Sequence, residues 1–260
     1  MNWVEVTVLI TAGFAVGFIN TIAGGATVIS FASMMVLGLP IMAANATHRV
    51  AAAFQTLASS GAFLRQKILD FKTGLRYGIP TTLGSIAGAW ASVDIREDTF
   101  RIIAGIAMLL MLIAMVLKPG IWMMGKKSEP EVKPKPWHHL VFFLVGFYGG
   151  FIYIGIGYFL LAALVLTTGL DLLRSNALKV FIVMLYVPFT LVPFIIADLI
   201  NWPFALVLSI GQAAGAWVAA RASISLGNGF IRWFMMVFII ILVADLFGLI
   251  SLRGLILRLQ

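Results

Sequence analysis

The stretch Gly84-Ser85-Ile86-Ala87-Gly88-Ala89-Trp90 returns later in the chain as Gly211-Gln212-Ala213-Ala214-Gly215-Ala216-Trp217. Working outward, Val16-Gly17-Phe18 returns as Val145-Gly146-Phe147, Gly38-Leu39 as Gly169-Leu170, and Asn45-Ala46 as Asn176-Ala177. Arg101 and Arg232 then open the last apolar run of each half. The order is kept and the spacing is nearly constant, so the chain reads as two copies of one unit.

Composition says what kind of unit. Hydrophobic residues make up 62% of the 260 positions and charged residues only 11%, against about 25% charged in soluble domains. A soluble fold of this size cannot hide so much apolar surface, whereas a bilayer accepts it. The formal net charge is +8. Its Lys and Arg residues gather in short loops between apolar runs, where they set topology and meet anionic headgroups, so no nucleic-acid partner is expected. With no cysteine, disulfides, thiol catalysis and Cys-based metal sites are excluded. Residues 1–10 carry Glu5 and no basic start, which reads as a retained first helix rather than a cleaved signal.

Apolar runs fall at 3–22, 26–37, 41–64, 74–93, 99–117, 138–154, 157–168, 172–197, 203–220 and 230–252. Crossing a bilayer takes about 20 helical residues. The runs 26–37 and 157–168 are too short, and each follows glycines: Gly24-Gly25 in one half, Gly149-Gly150 and Gly155 to Gly157 in the other. Short, glycine-interrupted segments at matching places predict broken or re-entrant helices. The plainer alternative is one long bent helix in each half. Gly84-x3-Gly88 and Gly211-x3-Gly215 fit close helix contacts, and Trp90 and Trp217 fit interfacial anchors.

Lys118 to His139 holds four prolines, Lys126-Lys127, Glu129 and Glu131, and reads as a linker. The division expected is a first transmembrane repeat over 1–117, a cytoplasmic linker over 118–137 and a second repeat over 138–260. The loop at 65–76 carries Arg65, Lys67, Lys72 and Arg76, while its counterpart at 197–203 has Asp198 and no base. The loop at 93–100 mixes Asp94, Arg96, Glu97 and Asp98, while its counterpart at 221–232 has Arg221 and Arg232 and no acid. Basic loops stay cytoplasmic. Equivalent loops thus face opposite sides, and the expectation is an all-α polytopic membrane protein of two inverted repeats, about five helical elements each. Both termini then lie outside, against which Arg253 and Arg258 stand.

Asn45 and His48, followed by Arg49, lie near the start of the run 41–64, and Asn176 and Lys179 occupy the same places in the run 172–197. Residues three apart share a helix face, and helix N-termini favour anions. Inverted halves would bring the two pairs together at the midplane beside the glycine breaks. The candidate anion site is Asn20, Thr21, Gly24, Gly25, Thr27, Asn45, Thr47, His48, Gly155, Gly157, Asn176 and Lys179, with Tyr153 and Tyr158 flanking the second break. The competing reading makes the bases headgroup anchors and the glycines packing positions. His48 is the candidate proton carrier, which favours a proton over sodium as coupling ion. Asp245 is a weaker coupling candidate. No cofactor, metal site or enzyme motif is present: G-x-S-x-G, H-E-x-x-H and a P-loop are missing, and His138-His139 is too little for a metal.

The pattern Gly17-Phe18-Ile19-Asn20, Ala23-Gly24-Gly25, Gly38-Leu39-Pro40 and Ala44-Asn45-Ala46-Thr47 resembles the first half of the sulfite exporter TauE/SafE family of bacterial membrane transporters. Gly84 to Trp90 and the duplicated second half also fit. The resemblance implies a multi-pass inner-membrane permease for sulfite, sulfonates or related anions, driven by an ion gradient. Two departures stand out. Leu178 takes the place of a Thr such as Thr47, and Tyr148-Gly149-Gly150 takes the place of Ile19-Asn20. Two other readings are an integral scaffold or assembly protein that transports nothing, which would need no polar midplane, and a lipid-modifying enzyme using Asp94, Glu97 and Asp98.

Overall fold

Side-chain caps set where several helices begin. Asn2 accepts the N–H of Glu5 at 2.8 Å, and Glu5 accepts the N–H of Asn2 at 3.0 Å. This capping box opens α1, Trp3–Ile22. Asp70 accepts the Lys72 N–H at the start of α4, Phe71–Val93. Asp171 accepts the Arg174 N–H at the start of α7, Leu172–Ile196. The remaining helices in this computed structural model are α2, Thr27–Val36; α3, Ile41–Arg65; α5, Pro136–Phe151; α6, Ile156–Thr168; and α8, Trp202–Leu246. The structure describes residues 1–96, 98–100, 102, 103, 106 and 135–246. Arg101, Glu97, residues 118–134 of the expected linker, and Arg253 and Arg258 lie outside them, as do the side chains of Arg232 and Asp245.

The described residues are almost wholly helical. Among the described residues, three stretches are long and apolar enough to cross a membrane: Trp3–Ile22, Leu172–Ile196 and Trp202–Leu226. The helix α3 is as long as α7 but more polar. Asn45, Thr47, His48, Arg49, Gln55, Thr56, Ser59 and Ser60 on it are all buried, so α3 turns its polar face to the middle of the bundle.

Both expected breaks are present. Gly24 and Gly25 have φ of +89° and +87°, and Gly155 has +72°, a left-handed conformation that glycine adopts freely. The helices that follow have 10 and 13 residues. At about 1.5 Å per residue they span roughly half to two thirds of the hydrocarbon core.

One expectation needs correction. Residues 221–232 do not form a loop between two helices, because α8 runs unbroken from Trp202 to Leu246. No proline interrupts this stretch, and each glycine of Gly227-Asn228-Gly229 costs a helix only about 1 kcal/mol. Continued backbone pairing keeps each N–H and C=O of the stretch satisfied. Among the described residues, four helices are delimited in each half, and residues 98–100 are helical as well.

The halves interlock through glycines. In each half the first helix packs on the fourth helix of the other half: α1 on α8, and α5 on α4. A methyl added at Gly17 would land on the carbonyl of Gln212, and one at Gly215 on that of Phe14. Likewise, Gly150 faces the carbonyl of Ser85, and Gly88 that of Phe147. Backbones this close gain dispersion and Cα–H···O contacts without a side chain between them. In this packing Gly13 stands opposite Leu208 as Gly146 stands opposite Thr81. That correspondence lies one helical turn from the Gly17–Gly146 match in the sequence. With 20 residues against 16, α1 has one turn more than α5, and the extra turn falls before its break. Counted from the breaks, Asn20-Thr21 corresponds to Gly149-Gly150.

Helix directions follow from the contacts. Gly13 and Gly17 meet Leu208 and Gln212 in that order, so α1 and α8 run the same way. At the crossing of α3 and α7 the order reverses. Arg49, early in α3, lies 4.6 Å from the ring centre of Phe194, late in α7. Phe63, late in α3, clusters with Ala177 and Val180, early in α7.

Candidate functional site

The first break is held open by one side chain. Asn20 Oδ1 accepts the Ala26 N–H at 2.8 Å, and Asn20 Nδ2 donates to Thr27 Oγ1 at 3.4 Å. The amide thus bridges the end of α1 and the start of α2, pairing backbone that the break would orphan. The backbone of Gly24 then lies directly against that of Gly157. A Cβ at Gly24 would stand 2.9 Å from the Cα of Gly157. The two breaks touch.

A buried cation from each half caps the broken helix of the other. Lys179, on α7, donates from Nζ to the carbonyls of Asn20 and Thr21 at 3.0 and 3.2 Å. Arg49, on α3, donates to the carbonyl of Gly150 at 2.6 Å and that of Gly149 at 3.3 Å. Asn45 steadies this second cap. Its Oδ1 accepts from Arg49 at 3.4 Å and its Nδ2 donates to the Phe151 carbonyl at 3.5 Å. The last carbonyls of a helix lack partners and carry partial negative charge, which is where a cation is favoured. The Arg49 guanidinium also lies 5.6 Å from the ring centre of Tyr153. Both cations are fully buried, and neither forms an ion pair with a carboxylate among the described residues.

Between the breaks lies a cavity of about 20 Å³. Its walls come from both halves. Asn20, Gly24, Gly25, Thr27, Gln55 and Thr56 line one side, and Tyr153, Gly157 and Lys179 the other. That volume accommodates about one water molecule, so the centre of the bundle is closed in this conformation. Polar donors and one cation face it, and no acidic side chain lines it.

Of the candidates from sequence, Asn20, Gly24, Gly25, Thr27, Gly157 and Lys179 line this cavity, and Thr21 contributes its carbonyl to Lys179. Asn45, Thr47, His48, Gly155 and Asn176 stand outside its lining. Asn45 belongs to the Arg49 cap. Thr47 Oγ1 accepts the Asn201 N–H at 3.0 Å and fastens the start of α8 to α3. His48 sits one ring behind the cavity, its centre 5.0 Å from that of Tyr153 and 5.7 Å from that of Phe31. Gln212 Nε2 lies 3.2 Å from His48 Nδ1 and 3.2 Å from Ser30 Oγ. An amide N–H donating to Nδ1 suits the neutral ring. Gly155 is the left-handed residue before α6. Asn176 is fully buried, and neither of its amide atoms has a hydrogen-bond partner among the described residues.

Sequence reasoning overlooked Gln55, Thr56 and the capping role of Arg49. A signal was available. Asn45, His48, Arg49, Gln55, Thr56, Ser59 and Ser60 recur at helical spacing along one face of a membrane-length helix.

Two halves of apolar helices, each broken at glycines and each capped by a buried cation of the other, define an all-α membrane protein with a polar centre. The chain belongs to the sulfite exporter TauE/SafE family, which it matches over residues 9–246. It is similar to a "probable membrane transporter protein" of Sinorhizobium sp, with 24% identity over 86% of this chain and 85% of that protein. It is also similar to the protein YfcA of Escherichia coli K12, named in the same words, with 26% identity over 86% and 83% of the two chains. A third relative, YunE of Bacillus subtilis, is 25% identical over 82% and 85%. No solved structure matches it. The protein is a membrane transporter.

Proposed function

We propose that this transporter exports a small anion, such as sulfite, a sulfonate or a related organic anion, across the bacterial inner membrane by alternating access between inverted repeats. The observation that carries the proposal is the Lys179 ammonium at the meeting of the two breaks. Two of its three donors go to the Asn20 and Thr21 carbonyls. The third, with the Gln55, Thr56 and Thr27 side chains around it, suits an anion. An ionisable group this deep in a membrane bundle is expensive to keep and marks a pathway.

The antiparallel crossing of α3 and α7 supports the inverted relation of the halves. A one-water cavity excludes a sulfonate, so the halves must separate on one side to admit it. In this reading one repeat rocks against the other about the Gly24–Gly157 contact. A proton gradient, with His48 as carrier, is favoured over sodium as the driving force.

The test is flux of radiolabelled sulfite, or of a sulfonate, in vesicles containing the purified protein. Lys179→Ala should abolish flux while the variant still elutes as a folded protein. Wild-type flux in that variant would remove the assignment.

A further inference from the structure

Away from the breaks, α3 and α8 diverge to leave a groove of about 510 Å³. Its mouth holds two guanidinium groups. Arg65 lies in the last turn of α3, beside the basic loop that contains Lys67. Arg221 stacks on the Trp217 ring, 3.8 Å from its centre, which holds the guanidinium in place. The rest of the wall is largely apolar, with Leu57 and Gly61 from α3 and Ile224 from α8, and among the described residues it includes no acidic residue.

The groove is graded along the helix. Leu57 lies about two turns, roughly 12 Å, deeper along α3 than Arg65. Charge therefore sits at the helix end and apolar wall runs toward the interior of the bilayer. Gly61 opens the floor, since a Cβ there would meet nothing within 4 Å. Helices packed as closely as α1 and α8 leave no such gap.

We propose that this groove binds an anionic phospholipid, its phosphate between Arg65 and Arg221 and one acyl chain along Leu57, Ala58 and Gly61. A free phosphate ion would use the two arginines but not the apolar floor. A zwitterionic lipid would offer the same phosphate but bring its own cation beside two guanidinium groups, with no carboxylate among the described lining residues to receive it. Basic pockets between membrane helices at the basic side of a bundle select anionic headgroups.

Native mass spectrometry of the full chain tests this, with phosphatidylglycerol and phosphatidylcholine of identical acyl chains added in turn. The wild type should retain phosphatidylglycerol about tenfold better. The double variant Arg65→Gln/Arg221→Gln should lose that preference. Gly61→Leu supplies a better helix former, so the helix persists, and it should release both lipids by filling the floor. Equal retention of the two lipids by the wild type would overturn the proposal. Unchanged phosphatidylglycerol binding in Gly61→Leu would do so too, and that variant decides the matter if the double variant fails to fold. Displacement of the lipid by equimolar inorganic phosphate would replace the lipid site with a simple anion site.

Discussion

Lys179 Nζ lies 3.0 Å from the carbonyl oxygen of Asn20, and that bond ties the second half of the chain to the broken end of the first. Arg49 makes the reciprocal tie to Gly149 and Gly150. The two cations differ in form for a reason. A guanidinium spans two carbonyls and an amide oxygen at once, whereas an ammonium is a point charge with a donor to spare.

Arg49→Lys should therefore destabilise the fold, while Lys179→Arg lowers flux. The Lys at position 49 cannot reach both carbonyls and the Asn45 amide. The loss should be about 1–3 kcal/mol, the cost of leaving a buried acceptor unpaired, and a thermal melt in detergent measures it. Lys179→Arg should keep the melt within about 1 kcal/mol and lower flux, because the larger head fills the cavity.

The glycine contacts make a second prediction. At Gly17, Gly88, Gly150 and Gly215 an added methyl meets backbone of the facing helix, which cannot swing away as a side chain can. Each Gly→Ala exchange should cost about 1–3 kcal/mol. At Gly38, where nothing lies within 4 Å but φ is +95°, Ala should cost no more than about 1–2 kcal/mol, from backbone strain alone. Equal effects at all five positions would contradict close backbone contact.

In the proposed mechanism His48 carries the coupling proton. Gln212 Nε2 lies 3.2 Å from His48 Nδ1, so a proton arriving at that nitrogen requires the contact to loosen. His48→Gln should leave the fold intact and uncouple flux from an imposed proton gradient, while anion exchange under zero gradient continues. Flux in vesicles with and without a pH step separates these cases.

Outside the membrane helices, Asp70 caps α4. Its carboxyl is held below the usual carboxylate range, first by the Thr73 hydroxyl and then by the Thr73 and Lys72 N–H groups and Arg76. A lowered folded-state pKa means the contribution is complete above the unfolded value of about 3.9 and is lost as pH falls through the lower folded value. Asp70→Ala should cost about 1 kcal/mol at neutral pH. Asp70→Asn should keep most of the cap and remove the acid-dependent loss, which melts at pH 7 and pH 3 would compare.

The fold was legible where repetition met hydropathy. Gly84 to Trp90 and its copy located the fourth helix of each half, and the glycines before positions 27 and 156 located both breaks. The register of α1 against α5 was not legible, because Gly17 has a sequence match at Gly146 and a packing match at Gly150, and only contact with Gln212 and Ser85 separates them. The continuity of α8 was misread for a related reason. Gly227-Asn228-Gly229 looks like a turn in any sequence, but two glycines cost a helix only about 1 kcal/mol each. In the candidate site, Lys179 stood out because an ammonium isolated in an apolar run is costly to bury and needs acceptors close by. Gln55 and Thr56 were overlooked because their neighbours Ala52, Ala53 and Ala58 hide the polar stripe from a reading made along the chain rather than around it.

The crossed pairing of helices has a consequence for biosynthesis. When α1 enters the membrane, the surface of α8 that covers Gly13 and Gly17 lies some 200 residues downstream on the ribosome. At about 5–20 residues per second, α1 waits roughly 10–40 s with its smallest, most backbone-exposed face turned to lipid or to the insertion machinery. Neither half can complete itself on emergence, so the bundle closes only after its final helices arrive.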